Sequence, residues 1–414
     1  MGFQQGLSGL NAASKNLEVI GNNVANANTV GFKQSQAQFA DVFASSMNGS
    51  GASQVGIGTQ VAAVAQQYTQ GNVSSSNNPL DMAINGAGFF RMSNNGEITY
   101  TRNGQFHLDK EGYIVNSSGR HLTGYGVDAS GAIATGALVD VKINTADKPP
   151  NTTANVGLLL NLDSRDVVRV PAKVFNAADP TTYDHTTSTG IFDSLGNPHT
   201  LQTFYVKTAP LPSASGQGAW EVFASVDGVS VTTLPASSGT LTFSTNGSLT
   251  PTAPLSLSVN VASGANSPFT INVDYKGSTQ FGSNFGVNAM TQDGYAPGRL
   301  SGFSAGADGT ISGRYTNGQT ATLGQIALGN FSNPNGLESL GNNQWAETAT
   351  SGLALIGTAG TGRLGVMQSS ATEDSNVDLT GELVNMITAQ RLYQANAQTI
   401  KTQDQVLQTL VNLR

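Results

Sequence analysis

A mixed, mainly β fold is predicted: two nested β-rich domains carried on a terminal α-helical coiled-coil domain that both chain ends build together. Three observations predict it. Both ends of the 414-residue chain carry an apolar repeat in steps of four and three, while the interior is rich in Gly (49 residues) and in β-type turn dipeptides. Charged residues are scarce at 11%, against about 25% in ordinary soluble proteins, so the surface must be built from Ser, Thr, Asn and Gln.

At the start, Phe3, Leu7, Leu10, Ser14, Leu17, Gly21 and Val24 follow the repeat, the spacing of a helix that packs along another helix. The amide-rich run 22–28 should end this helix, because Asn side chains compete for backbone partners and favour caps and turns. Residues 29–71 read as a polar connector containing Gly49, Gly51, Gly56 and Gly58, with only 55–64 hinting at a strand.

Asn95-Gly96, Asn103-Gly104, Glu111-Gly112 and Ser118-Gly119 then separate short β-forming runs such as 97–101 and 113–116, the signature of an antiparallel meander. This opens a middle domain, 72–147, which resumes at 288–369. Lys148-Pro149-Pro150 marks a junction, since Pro-Pro stiffens and extends the backbone. The insertion 148–287 reads as an outer β domain, with strands at 200–206, 220–226, 239–244 and 269–275 and turns at Asp227-Gly228 and Asn246-Gly247. On the return, Asp308-Gly309 and Asn317-Gly318 are turns, and 326–328 and 353–356 are candidate buried strands.

Ser375-Asn376-Val377-Asp378 is predicted to form a capping box before the last helix. That helix carries Leu379, Leu383, Met386, Gln390, Tyr393, Ala397, Ile400, Asp404, Leu407 and Val411 at heptad spacing. The terminal helical domain is therefore 1–28 with 370–414. Its candidate polymerisation seam is Leu7, Leu10, Leu17 and Val24 with Leu383, Met386, Tyr393, Ile400, Leu407 and Val411. Within 1–40 only Lys15, Glu18 and Lys33 are charged, and the last helix shows Gln390, Gln394, Asn396, Gln398 and Gln403 on its polar side. Solvated helices usually gain from ion pairs one turn apart; amides instead suit a face that meets other helices or lines a polar conduit.

Candidate chemistry is sparse. Gly360-Thr361-Gly362-Arg363-Leu364-Gly365 matches the dinucleotide fingerprint in letters, but Val366-Met367-Gln368 follows where the fingerprint needs a helix. It is expected to be a turn. His107, His121, His185 and His199 form no pair at metal-binding spacing, and Asp193 beside His199 lacks a nucleophile elbow. No cofactor, metal or catalytic site is expected, and the chain is read as a non-enzyme. A net charge of −7 without Lys/Arg clusters argues against nucleic acid, and no run of about 18 apolar residues exists to span a membrane. The chain has no Cys and its start lacks the pattern of a cleaved signal peptide. Both would suit export of an unfolded chain through a narrow conduit.

Ser8-Gly9-Leu10-Asn11-Ala12-Ala13 and the run 22–33, with Asn23, Ala25, Asn26, Asn28, Thr29, Gly31 and Phe32, resemble the N-terminal signature of the bacterial flagellar axial proteins of rod and hook. The run 382–402, with Gln390 and Arg391, resembles the matching C-terminal end. Phe192-Asp193-Ser194-Leu195-Gly196-Asn197-Pro198-His199 and 323–331, together with the large insertion, resemble the hook branch. The resemblance implies a self-assembling subunit of a curved flexible tube, a universal joint passing motor torque from rod to filament. It further implies homopolymer contacts, contacts with rod, hook-cap and hook–filament junction proteins, type III export, and an extracellular location in the flagellar hook. A distal rod-type protein and an extracellular adhesive or binding protein are the competing readings.

Overall fold

Helices occupy both ends of the chain and strands nearly everything between them in the computed structural model. It describes residues 2–42, 56–128, 130–168, 174–208, 218–231 and 238–412; Gly49, Gly51 and the first residue of the expected 55–64 strand lie outside these. The chain forms two units, one of 1–145, 302–314 and 320–414, the other of 146–301 with 315–319.

In the first unit, α1 (Gly2–Ala25) and α2 (Leu379–Asn412) pack together. Between them the stretch expected to be a connector contains an antiparallel hairpin, β1 (Ser35–Val42) with β2 (Gly58–Gln66), registered from Ser35 opposite Gln66 to Val42 opposite Gly58. Its side chains are half-buried or exposed on both faces. Along β1 the alternation reverses phase at a bulge between Gln38 and Phe39, which breaks the period a strand is read from, while β2 overlaps the strand expected at 55–64. The capping box also shifts. α2 starts at Leu379, so Asp378 is its cap, accepting the Thr380 N–H at 3.1 Å, while the Ser375 hydroxyl accepts the Val377 N–H outside the helix.

The meander is present as part of a 12-stranded sheet whose central run is Thr320–Asn330, His121–Tyr125, Phe89–Asn94, Glu97–Thr101 and Gln344–Ala346. Asn95 and Gly96 both take positive φ (52° and 95°), as a two-residue hairpin turn with the native strand twist requires. Asn103-Gly104 is not such a turn. A Cβ on Gly104 would stand 1.6 Å from the Met82 carbonyl oxygen, so glycine there permits close backbone approach. The expected buried strand at 353–356 is a surface strand instead, Leu355–Thr358, with Leu353 82% exposed. It sits against Thr320–Asn330, which supplies the buried Ile326, Ala327 and Leu328. Phe89, Tyr100, Phe331 and Trp345 pack edge-to-face in an aromatic core beside them.

The second unit is built from two five-stranded sheets. Val156, Leu158, Leu160 and Leu162 alternate inward along Asn155–Asp163, and Trp220, Val222, Ala224 and Val226 along Gly218–Val226. A strand's period of two places each set on one face. The two sets share one core with Leu201, Tyr205, Phe243, Ile271 and Val273.

Candidate assembly interface

The helices touch through small residues. A Cβ on Gly6 would lie 3.0 Å from Ile400 Cγ1, and one on Gly9 would lie 2.8 Å from Asn396 Oδ1. Further along, Ala12, Ala13, Ile20 and Ala389 are buried. The absent side chains at Gly6 and Gly9 make room for the Ile400 and Asn396 side chains of α2, which fill those positions. Of the predicted seam, Ile400 is brought against α1. Leu7, Leu383, Tyr393, Leu407 (54% exposed) and Val411 (73%) face solvent, and Leu10, Leu17, Val24 and Met386 are half-buried. The heptad pattern thus marks a face that this chain does not cover by itself.

The root of this helix pair is fixed by polar groups. The Asn23 amide is buried and clamps one backbone position: Nδ2 donates to the Ser35 carbonyl at 2.8 Å, and Oδ1 accepts the Ser35 N–H at 2.9 Å. This ties the last turn of α1 to the first residue of β1. Asn26 donates to the Asn22 carbonyl and accepts from Thr29 Oγ1, closing the helix end. Gly31 has φ of 72° and donates its N–H to the Glu373 carbonyl, while a Cβ there would lie 2.5 Å from the Asn103 nitrogen. Phe32 is buried beyond it, whereas Ala25, Asn28, Gln390 and Arg391 are exposed.

Sequence reasoning did not foresee the charged joint next to Gly31. Glu373, fully buried, accepts from Lys33 Nζ at 2.5 Å and from Arg102 Nη1 at 2.9 Å, and its Oε1 also takes the Gly71 N–H. Lys33 donates in addition to the Thr69 carbonyl at 2.8 Å, and Arg102 Nη2 to the Gly86 carbonyl at 2.7 Å. Two cations therefore share one carboxylate out of water. Burial pushes the Lys33 pKa below its ordinary value, with Glu373 opposing the shift, and the same balance lowers Arg102. The joint gathers the exit of α1, the end of the hairpin, the sheet and the approach to α2. Gln34 extends it: its N–H donates to Asn376 Oδ1 at 2.8 Å and its amide to Glu382 Oε1 at 2.6 Å. A cleft of about 580 Å³ beside it, between α1, the hairpin and α2, is bordered by the amides of Asn16, Gln36, Gln67 and Asn385.

The catalytic alternatives take other forms. Residues 360–365 make a turn between Leu355–Thr358 and Val366–Ser369, closed by the Gly360 N–H on the Gly365 carbonyl, and a strand follows where a nucleotide site needs a helix. His199 lies between Asp227 and Asp193, but Ser263 bonds Asp193 and not the imidazole, so no nucleophile–base–carboxylate order exists there. Among the described residues no group of His, Asp and Glu converges as a metal site would, and no helix is long and apolar enough to cross a membrane.

Family models match along the chain in the order the fold presents its parts. They are a flagella basal body rod protein model at 3–33, a flagellar hook protein FlgE/F/G D1 domain at 83–156, a flagellar basal body protein FlaE D2 domain at 161–295 and a flagellar basal body rod FlgEFG protein C-terminal model at 368–413. The flagellar hook protein FlgE of Escherichia coli K12 is 44% identical, with both chains covered in full. The chain belongs to the flagellar hook protein family. The hook proteins of Salmonella typhimurium LT2 (42% identical, 100% of each chain) and Borreliella burgdorferi (31%, 99% of this chain and 98% of that one) are similar along the same length. The crystal structure of Helicobacter pylori flagellar hook protein FlgE2 shares the fold, with a TM-score of 0.55 at 15% identity over 72% of this chain and 100% of that one. The protein is a structural subunit of the flagellar hook, and neither the rod-type nor the adhesive reading is favoured.

Proposed function

We propose that neighbouring copies complete the exposed apolar face of α1 and α2, so that the terminal helices form the inner tube of the hook and the β domains its outer shells. The observation that carries this is the position of Leu7, Leu383, Leu407 and Val411. These are apolar residues at heptad spacing, left in solvent on a helix pair that is clamped at its root. Burying a leucine is worth about 1.5–3 kcal/mol, so several per copy would hold a tube together. Outer contacts made by uncharged polar groups exchange with water at small net cost. In such a tube the inner layer coheres while the outer layers slide as the hook bends. We assign the exit through a type III export channel, the extracellular location, and the contacts with rod, hook-cap and hook–filament junction proteins to this same reading, along with a purely structural, non-catalytic role. Leu407→Asp, concentrated in high salt and viewed by electron microscopy, is expected to give no tubes while its β units melt as in the wild type. Normal tubes from that variant would refute the seam.

A further inference from the structure

His199 sits where a single ring must satisfy two carboxylates. Its Nδ1 is 2.6 Å from Asp227 Oδ2 and its Nε2 is 3.3 Å from Asp193 Oδ2. A carboxylate offers only acceptors, and a neutral imidazole has one N–H; both contacts are hydrogen bonds only when the ring carries two protons. Those two aspartates are the charged groups facing the ring among the described residues, and the neighbouring 261–266 loop adds the Ser263 hydroxyl, which donates to Asp193 at 2.6 Å.

Asp193 organises a tight turn. It is fully buried, and its Oδ1 accepts the N–H groups of Leu195 and Asn197, both at 2.9 Å. Gly196 stands at the apex with φ of 82°, where a Cβ would fall 2.6 Å from Pro297 Cδ and 2.8 Å from Pro150 Cβ. Those two prolines belong to the segments through which the chain enters and leaves the second unit. The segments are bonded to each other, Asn151 with Tyr295 and Lys148 with Gly298, through reciprocal backbone hydrogen bonds. The entering segment is further tied to the residue before the turn, where the Phe192 N–H donates to Thr153 Oγ1 and the Thr153 N–H to the Phe192 carbonyl.

We propose that His199 is a proton-operated clasp: doubly protonated, it holds the 193–197 turn against the entry and exit segments of the second unit, and losing a proton loosens that hold. Burial alone would lower the ring's pKa, but hydrogen bonds to Asp227 and Asp193 outweigh it and raise the pKa above the ordinary 6.5. A raised folded-state pKa means that the contribution is complete below the unfolded value and is lost as pH rises through the folded one. The neutral ring keeps one aspartate and turns a lone pair toward the other.

The test follows the ring by nuclear magnetic resonance in the full-length monomer, together with hydrogen exchange at Leu195, Asn197, Asn151 and Tyr295 corrected for the intrinsic effect of pH. In the wild type, exchange is expected to quicken about tenfold for each unit by which the ring's pKa exceeds its ordinary value, with its midpoint at the ring's own titration. His199→Gln, which bonds one aspartate and does not titrate, is expected to exchange fast at every pH. Asp227→Asn, needed if that variant does not fold, is expected to lower the ring's pKa and the exchange midpoint together. A ring that titrates at or below its ordinary value, or exchange that ignores the ring's titration, would overturn the clasp.

Discussion

The core of the second unit and the terminal helices handle apolar residues in opposite ways. Along Gly218–Val226, Trp220, Val222, Ala224 and Val226 all point into a core closed by the same chain. Along α2, Leu383, Leu392, Leu407 and Val411 stay in solvent, and Ile400 and Asn396 meet α1 at Gly6 and Gly9. The first arrangement is complete in one copy; the second leaves apolar surface in water. On the proposed reading, this exposed heptad face on a long helix, rooted by a buried charge joint, is the part that neighbouring copies cover.

Two substitutions separate these regions at the largest scale. Glu373→Gln strands the Lys33 and Arg102 charges and is expected to cost about 3–5 kcal/mol, seen as a lower denaturation midpoint of the first unit and loss of assembly. Trp220→Ala empties the second unit's core and is expected to cost a similar 3–5 kcal/mol, but in that unit alone, with tubes still forming in the cold. If Trp220→Ala abolished tubes under conditions where the unit stays folded, the two regions would not be separable in this way. Smaller effects sharpen the contrast. Asp378→Ala removes the α2 cap and is expected to cost about 1 kcal/mol of helix stability, read by circular dichroism. Lys33→Met leaves one cation on one carboxylate and is expected to change stability by less than about 1 kcal/mol, since removing a buried charge also removes its desolvation cost. The depressed Lys33 pKa carries a sign that can be checked. Wild-type stability should rise toward alkaline pH between the folded-state and ordinary lysine values, and this rise should vanish in Lys33→Met.

What could be read from the sequence follows from how local the determinants are. The strand at Gly218–Val226 was legible because alternation and the Asp227-Gly228 turn lie within a few residues, and that turn has the positive φ values (50° and 81°) expected of it. Of the β1–β2 hairpin only the second strand was hinted at, by the run 55–64; β1 was not, since a bulge between Gln38 and Phe39 reverses its alternation and no residue of it is fully buried. The charge joint could not be read either: Lys33 and Glu373 are 340 residues apart, and Arg102 and Glu373 are 271 apart. The one hint was that Lys33 is among only three charges in the first forty residues, at the end of the amide-rich motif. For the seam, periodicity identified the apolar face but not its partner. The partner within the chain is chosen by absent side chains at Gly6 and Gly9, which a search for large apolar residues passes over.

Hydrogen exchange measured on monomer and polymer side by side tests the central claim most directly. Amides of α1 and α2 are expected to gain strong protection on assembly, while those of Gly218–Val226 are already protected in the monomer and do not change. Helices equally protected in both states, or protection gained chiefly in the second unit's core, would contradict that claim.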